Sequence, residues 1–309
     1  VLVGPFDVEA AVAVSASEEP DVVADLVALA DQSLVAFDPE SGTYSLLESI
    51  RLFAEGSGIA DQTLRRHTEF VVASVEAAAR APAERQQRDF ETTARLLPSV
   101  RVVMSRALDA GDSGLIHRIV AAVARYGEQA FAFEVIDWID AATALDQANG
   151  VPTPPATAVC AATLLTHRGQ FDDAARWLDR AAGAEPDTLD LAQLWHAYFT
   201  GDLDAADSRV QAIRERGPSA TSYERTVSAV AAHFLDKGAG RDFNEVDVAL
   251  IDAVGLHDGA SSAAARLCSA IRLDWDRDAE RAVAALTEVM ADAGRMGLAL
   301  LGSGASTAR

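Results

Sequence analysis

Apolar and polar positions follow two rhythms along this chain. From 7 to 16, DVEAAVAVSA carries small apolar residues densely enough for a short helix. Pro20-Asp21 opens a second over VVADLVALA, with Val23, Leu26, Val27 and Ala30 on one face. The rhythm then shortens to two strand-like runs, SLVAF at 33–37 and TYSLL at 43–47. Between them DPESG makes a hairpin turn, because proline presets one backbone angle and glycine permits a positive φ. A helix follows with Leu47, Ile50 and Ala54 on one stripe, ending at Gly56-Ser57-Gly58. From there only the helical spacing recurs. Helices are expected over 61–80, 83–97, 98–110, 113–126 and 129–148. Pro82 and Pro98 favour breaks, since an interior proline loses a hydrogen bond and clashes with the preceding turn. Residues 149–155, NGVPTPP, read as a linker between two helical blocks.

Beyond that linker the pattern repeats. Gly169 is followed by Phe171, Ala174, Leu178, Ala181 and Pro186; a shift of 32 residues gives Gly201, then Leu203, Ala206, Val210, Ile213 and Pro218. Glycine suits a tight turn between antiparallel helices, the small alanine lets them touch, and the apolar positions form a buried stripe that proline is expected to end. One such pair cannot bury its face alone, so several must stack. Weaker echoes occur around Gly111 and over 272–286. The six offsets resemble the tetratricopeptide repeat. The order helix, helix, hairpin, helix before residue 57 is that of the later part of a winged-helix unit. The expected fold is therefore mainly α: a partial winged-helix unit with a small β-hairpin (1–57), a helical block (58–148), the proline-rich linker (149–155) and a tetratricopeptide-like α-solenoid of antiparallel helix pairs (156–309).

Composition narrows the function. The chain has 309 residues, half of them hydrophobic, and a formal net charge of −21. An acidic surface repels phosphate backbones, which argues against direct nucleic-acid binding; the same charge also serves plain solubility. Cys160 and Cys268 match no metal or redox spacing and read as reduced, buried thiols of a cytoplasmic protein. No apolar run reaches the roughly 18 residues of a membrane span, and the N-terminal residues lack the features of a signal peptide. The chain opens on Val1, so a larger parent is expected.

A second resemblance rests on GPFDVEAAVAV, LVALADQSLVAFDPESGTYSLLESIRLFAE and LRRHTEFVVASVEAA, with SRALDAGD (105–112) in support. These segments look like the region after the nucleotide-binding core of bacterial STAND ATPases, in the actinobacterial form found in LuxR-like and AfsR-like regulators. The resemblance covers about the first 125 residues; the last 90 rest on helical periodicity. It implies a winged helix followed by a helical-repeat sensor, which binds a protein partner or small-molecule effector and controls a nucleotide switch. No G-x-x-x-x-G-K-[ST] is present, and the only lysine, Lys237, follows Asp236. ATP or ADP would then belong to an upstream core of the same polypeptide, with no cofactor in this chain. A plain interaction scaffold without ligand sensing is the alternative.

Individual residues carry little chemistry. Asp274, Asp276 and Asp278 begin like a calcium loop, but Ala279 and Ala285 stand where glycine and a bidentate glutamate belong. No H-E-x-x-H and no G-x-S-x-G occurs, so neither metal nor catalytic residues are expected. The candidate partner or ligand groove consists of Thr163, Thr166 and His167 on one helix and Trp195, Tyr198 and Phe199 on the next repeat's first helix. Leu191, Leu194, Trp195 and Tyr198 equally follow a core stripe. Glu48 and Arg51, three apart on one helix, are either a local surface pair or a contact to the upstream core.

Overall fold

The structure is a computed structural model that describes residues 2–56, 58–80, 86–255, 260–272 and 275–296. Its chain contacts divide it into two units: residues 1–78 with 92–119, and residues 79–91 with 120–309. The fold is mainly α, with one antiparallel hairpin near the start followed by helices packed in pairs.

In the first unit, α1 (Val8–Ser15) and α2 (Glu19–Asp31) precede β1 (Val35–Asp38) and β2 (Thr43–Leu46), and α3 (Glu48–Gly56) and α4 (Asp61–Ala79) follow. The Asp7 carboxylate caps α1 by accepting from the Ala10 N–H at 2.9 Å. It also pairs with Arg95 at 2.6 Å. The strands pair Val35 with Leu46 through Asp38 with Thr43. Their turn forms as its residues dictate: Asp38 accepts from the Glu40 N–H and the Ser41 hydroxyl, and Gly42 takes φ +65°. Phe6 joins this sheet from outside the hairpin. Its N–H donates to the Tyr44 carbonyl at 2.8 Å and its carbonyl accepts from the Tyr44 N–H at 2.7 Å. The Phe6 and Tyr44 rings stack 6.1 Å apart, over a core of Ala10, Val22 and Leu26.

Two expected faces differ here. The buried positions of α2 are Val22 and Leu26, while Val27 is half exposed, because the helix rolls its 22/26 row onto Phe6 and Ala10. On α3, Leu52 and Phe53 are exposed, as is Leu47 just before it, so the expected stripe buries little. The proline break fails too. Helix α5 (Gln86–Ala110) runs straight through Pro98. Gly4 lies beside the proline ring, close enough that an added Cβ would sit 3.4 Å from its Cγ, and the Ser99 hydroxyl donates to the Val3 carbonyl at 3.2 Å. Tertiary packing thus offsets the hydrogen bond that proline removes.

The second unit is built on α6 (Ser113–Ala130), α7 (Glu134–Asn149), α8 (Pro155–His167), α9 (Phe171–Arg180), α10 (Pro186–Thr200), α11 (Leu203–Arg216), α12 (Ser222–Ala239), α13 (Glu245–Val254), α14 (Ala260–Arg272) and α15 (Trp275–Met296); the first part of α6 belongs to the other unit. Residues 150–154 form the loop between α7 and α8. From α8 on, each helix packs on its chain neighbour, and α8, α10, α12 and α14 also pack in succession. That is the contact pattern of stacked helix pairs.

The 32-residue repeat explains it. Gly169 and Gly201 take φ +80° and +83° in the two interhelical turns. Ala174 and Ala206 are fully buried where the helices touch, as are Ala181 and Ile213. Leu178 is half-buried because the neighbouring Trp177 takes the inward position, whereas Val210 is fully buried. The prolines act differently than expected. Helix α9 ends at Arg180, and Pro186 opens α10 instead, where a missing N–H costs nothing; Pro218 sits in a 3-10 turn, Gly217–Ser219. Asp274 of the calcium-like segment, and the side chains of Asp276 and Asp278, lie outside the described residues.

Candidate functional site

Successive helices of the second unit bring four of the six groove candidates together. On α10, Leu194 and Ala197 point into the core and Trp195 and Tyr198 pack half-buried against it. Phe199, one step further round, is 42% exposed. Its ring centroid lies 5.5 Å from that of Tyr198 and 5.8 Å from that of Trp195, and Tyr198 in turn reaches Phe234 of α12 at 6.3 Å. Burial pushes the Tyr198 hydroxyl above its ordinary range. From α8, His167 meets Phe199 edge-on at 5.4 Å and Trp195 at 6.2 Å.

The threonines turn elsewhere. The Thr163 hydroxyl donates to the Val159 carbonyl of its own helix at 3.0 Å. Thr166 is buried, with its hydroxyl 3.5 Å from His196 Nδ1. Arg51 lies half-buried on α3, and the side chain of Glu48 lies outside the described residues.

The structure adds a charge that helical spacing alone does not reveal. Glu128, near the end of α6, is 8% exposed, and its Oε1 lies 3.5 Å from His167 Nε2. The neighbouring Gly127 faces Val135 of α7 and Leu164 of α8, where an added Cβ would make ordinary contacts at 3.4 and 3.6 Å. His167 Nδ1 lies 2.9 Å from the Thr163 carbonyl, which can only accept, so the ring proton sits on Nδ1. Nε2 faces the Glu128 carboxylate, and the Phe199 and Trp195 rings meet the imidazole in edge-type contacts. The Glu128 carboxylate reaches further groups. Burial first, and Glu128 with it, pushes the Cys160 thiol up to about 12. The same two causes raise the Tyr223 hydroxyl, against the nearby Arg125. The Arg125 guanidinium lies 3.8 Å over the Tyr223 ring. One face therefore holds an exposed aromatic, a histidine and a buried carboxylate. Of the three, Phe199 is the exposed member; the side chains of His167 and Glu128 are only 1% and 10% exposed.

No family model, curated protein or solved structure matches this chain. Among the described residues, no group of three histidine, cysteine or acidic side chains could hold a metal ion, and no helix is long and apolar enough to cross a membrane.

Proposed function

We propose that this chain is the regulatory region of a STAND-type ATPase, in which the helix pairs of the second unit bind a protein partner or small effector and control the parent's nucleotide switch. The observation that carries the binding role is the Phe199 face beside Glu128 and His167, on helices that pack as repeat pairs. The assignment to a STAND parent rests on the segments over 33–54 and 64–78 and on the order helix, helix, hairpin, helix. Nucleotide would bind the upstream core, and duplex DNA would be repelled by the chain's net charge of −21.

The test uses the parent protein. Removing residues 151–309 is expected to change its ATP turnover, by releasing or disabling the switch. A parent whose sequence holds no Walker A motif, or whose turnover is unchanged by the deletion, overturns the regulatory reading. The alternative, an interaction scaffold without ligand sensing, is favoured by the inward packing of Trp195 and Tyr198, which leaves Phe199 as the most exposed ring of the cluster. For the sensor, Phe199→Ala in the parent should alter regulation and leave basal turnover intact; for the scaffold it should only weaken capture of the partner.

A further inference from the structure

The joint between α6 and α7 is closed by the wrong kind of residue. The Ala132 N–H donates to the Gly127 carbonyl at 2.9 Å, the long bond of a helix end that turns through one left-handed residue. In α7, α10 and α12 that left-handed residue is Gly150, Gly201 and Gly240. In α6 it is Phe131, at φ +54°. A bulky side chain in this region is strained, and such strain persists only where surrounding contacts hold it. Two further costs lie in the same turn. Glu128 is a carboxylate with 8% of its surface exposed, and the side-chain oxygen of Gln129 is buried without a hydrogen-bond partner.

Contacts that hold this turn come from the end of one helix. His167, the last residue of α8, places Nε2 3.5 Å from Glu128 Oε1, ahead of the strained residue. Arg168 follows it and lies 5.7 Å over the Phe133 ring, beyond the strained residue; that ring in turn stacks on Phe131, centroids 5.5 Å apart. Consecutive residues of α8 thus grip both sides of the turn. His167 has a second neighbour. Its ring meets the exposed Phe199 of α10 edge-on at 5.4 Å. One imidazole therefore stands between the aromatic face and the strained turn.

We propose that residues 127–133 form a strained latch, shut by His167 and Arg168, which opens when the contact between His167 and Phe199 changes. This rests on the reading of the Phe199 face as the binding surface, and adds the step that passes occupancy on. A partner that moves the Phe199 ring shifts the imidazole and loosens its hold on Glu128. The strain at Phe131 then favours release of the last turn of α6. Such an opening is local, and a partner drives it only through its different contacts with the shut and open states.

The test is amide hydrogen exchange of the intact chain, read by mass spectrometry over residues 127–133, with α13 as the internal reference. It needs neither partner nor parent, so its failure is distinct from failure of the regulatory reading. Phe131→Gly is expected to slow exchange in 127–133 by about threefold or more, because glycine takes the left-handed position without strain. If the Phe131 ring served packing alone, the same change would speed exchange. Phe199→Ala and Arg168→Gln, both at exposed positions, are each expected to speed exchange in 127–133 by about threefold or more while α13 is unchanged. The proposal is overturned if Phe131→Gly leaves exchange unchanged or faster. It is overturned equally if Phe199→Ala or Arg168→Gln leaves 127–133 unchanged, or speeds α13 as much.

Discussion

Two buried histidines make this fold sensitive to acid. His67 on α4 is fully buried, with Nδ1 3.5 Å from Arg106 and Nε2 without a partner. Burial, then the Arg106 charge, lowers it from 6.5 to about 4. His233 on α12 lies flat against Phe243, ring centroids 4.0 Å apart, and falls to about 4 for the same first reason, with Arg272 adding to it. Both rings are therefore neutral in the folded chain at pH values where the unfolded chain has already taken up protons. Their contribution is fully present above pH 6.5 and is lost as pH falls toward 4; the shifts correspond to up to about 3 kcal/mol for each ring. Urea unfolding at pH 7 and pH 5 should show this loss, and His67→Gln and His233→Gln should each remove part of the difference. An unchanged difference in both variants would place the acid sensitivity elsewhere. Residues of this kind are hard to read from a sequence. The histidines are scattered and form no ligand pattern, and whether one is buried depends on which element covers it. Glu128 has the same problem: in the stretch RYGEQAF it resembles any solvent-facing helix acid, and its burial beside His167 of α8 shows only in the fold.

At the scale of elements, the joints carry polar networks. Asp190 of α10 accepts from Arg209 and Arg216 of α11, and Arg216 also bonds Glu224 of α12 at 2.5 Å. Glu224 is 2% exposed and completes a capping box: its carboxylate accepts from the Thr221 N–H at 2.7 Å, while the Thr221 hydroxyl accepts from the Glu224 N–H at 3.2 Å. The Pro218 turn is thereby held between two helices. Glu224→Ala removes the side-chain half of the capping box and a buried anion together, an expected cost of about 2–3 kcal/mol in urea unfolding. Glu224→Gln keeps the cap and should cost less; equal losses would assign the whole effect to charge. What the sequence revealed at this scale follows from local chemistry. DPESG and the Gly–Ala spacing act within a few residues, so the hairpin and the two repeat pairs were legible. The uninterrupted α5 was not, since Pro98 is tolerated through Gly4 and Val3, more than ninety residues earlier.

Over the whole molecule, the two units rest on different kinds of order. The second stacks helix pairs, and α8 to α11 could be anticipated from a 32-residue period. The first depends on contacts that have no period, and the pairing of Phe6 with Tyr44 shows what such a contact controls. With β1 on one side and Phe6 on the other, β2 has both of its flanks occupied. A chain begun at Val8 would leave the Tyr44 N–H and carbonyl open, beside aromatic surface that Phe6 no longer covers. Such an edge is a template for another copy of the same strand. That shortened chain is expected to self-associate with rising concentration in light scattering, under conditions where the full chain does not. Two hydrogen bonds near the N-terminus would then be a guard against aggregation as much as a part of the fold.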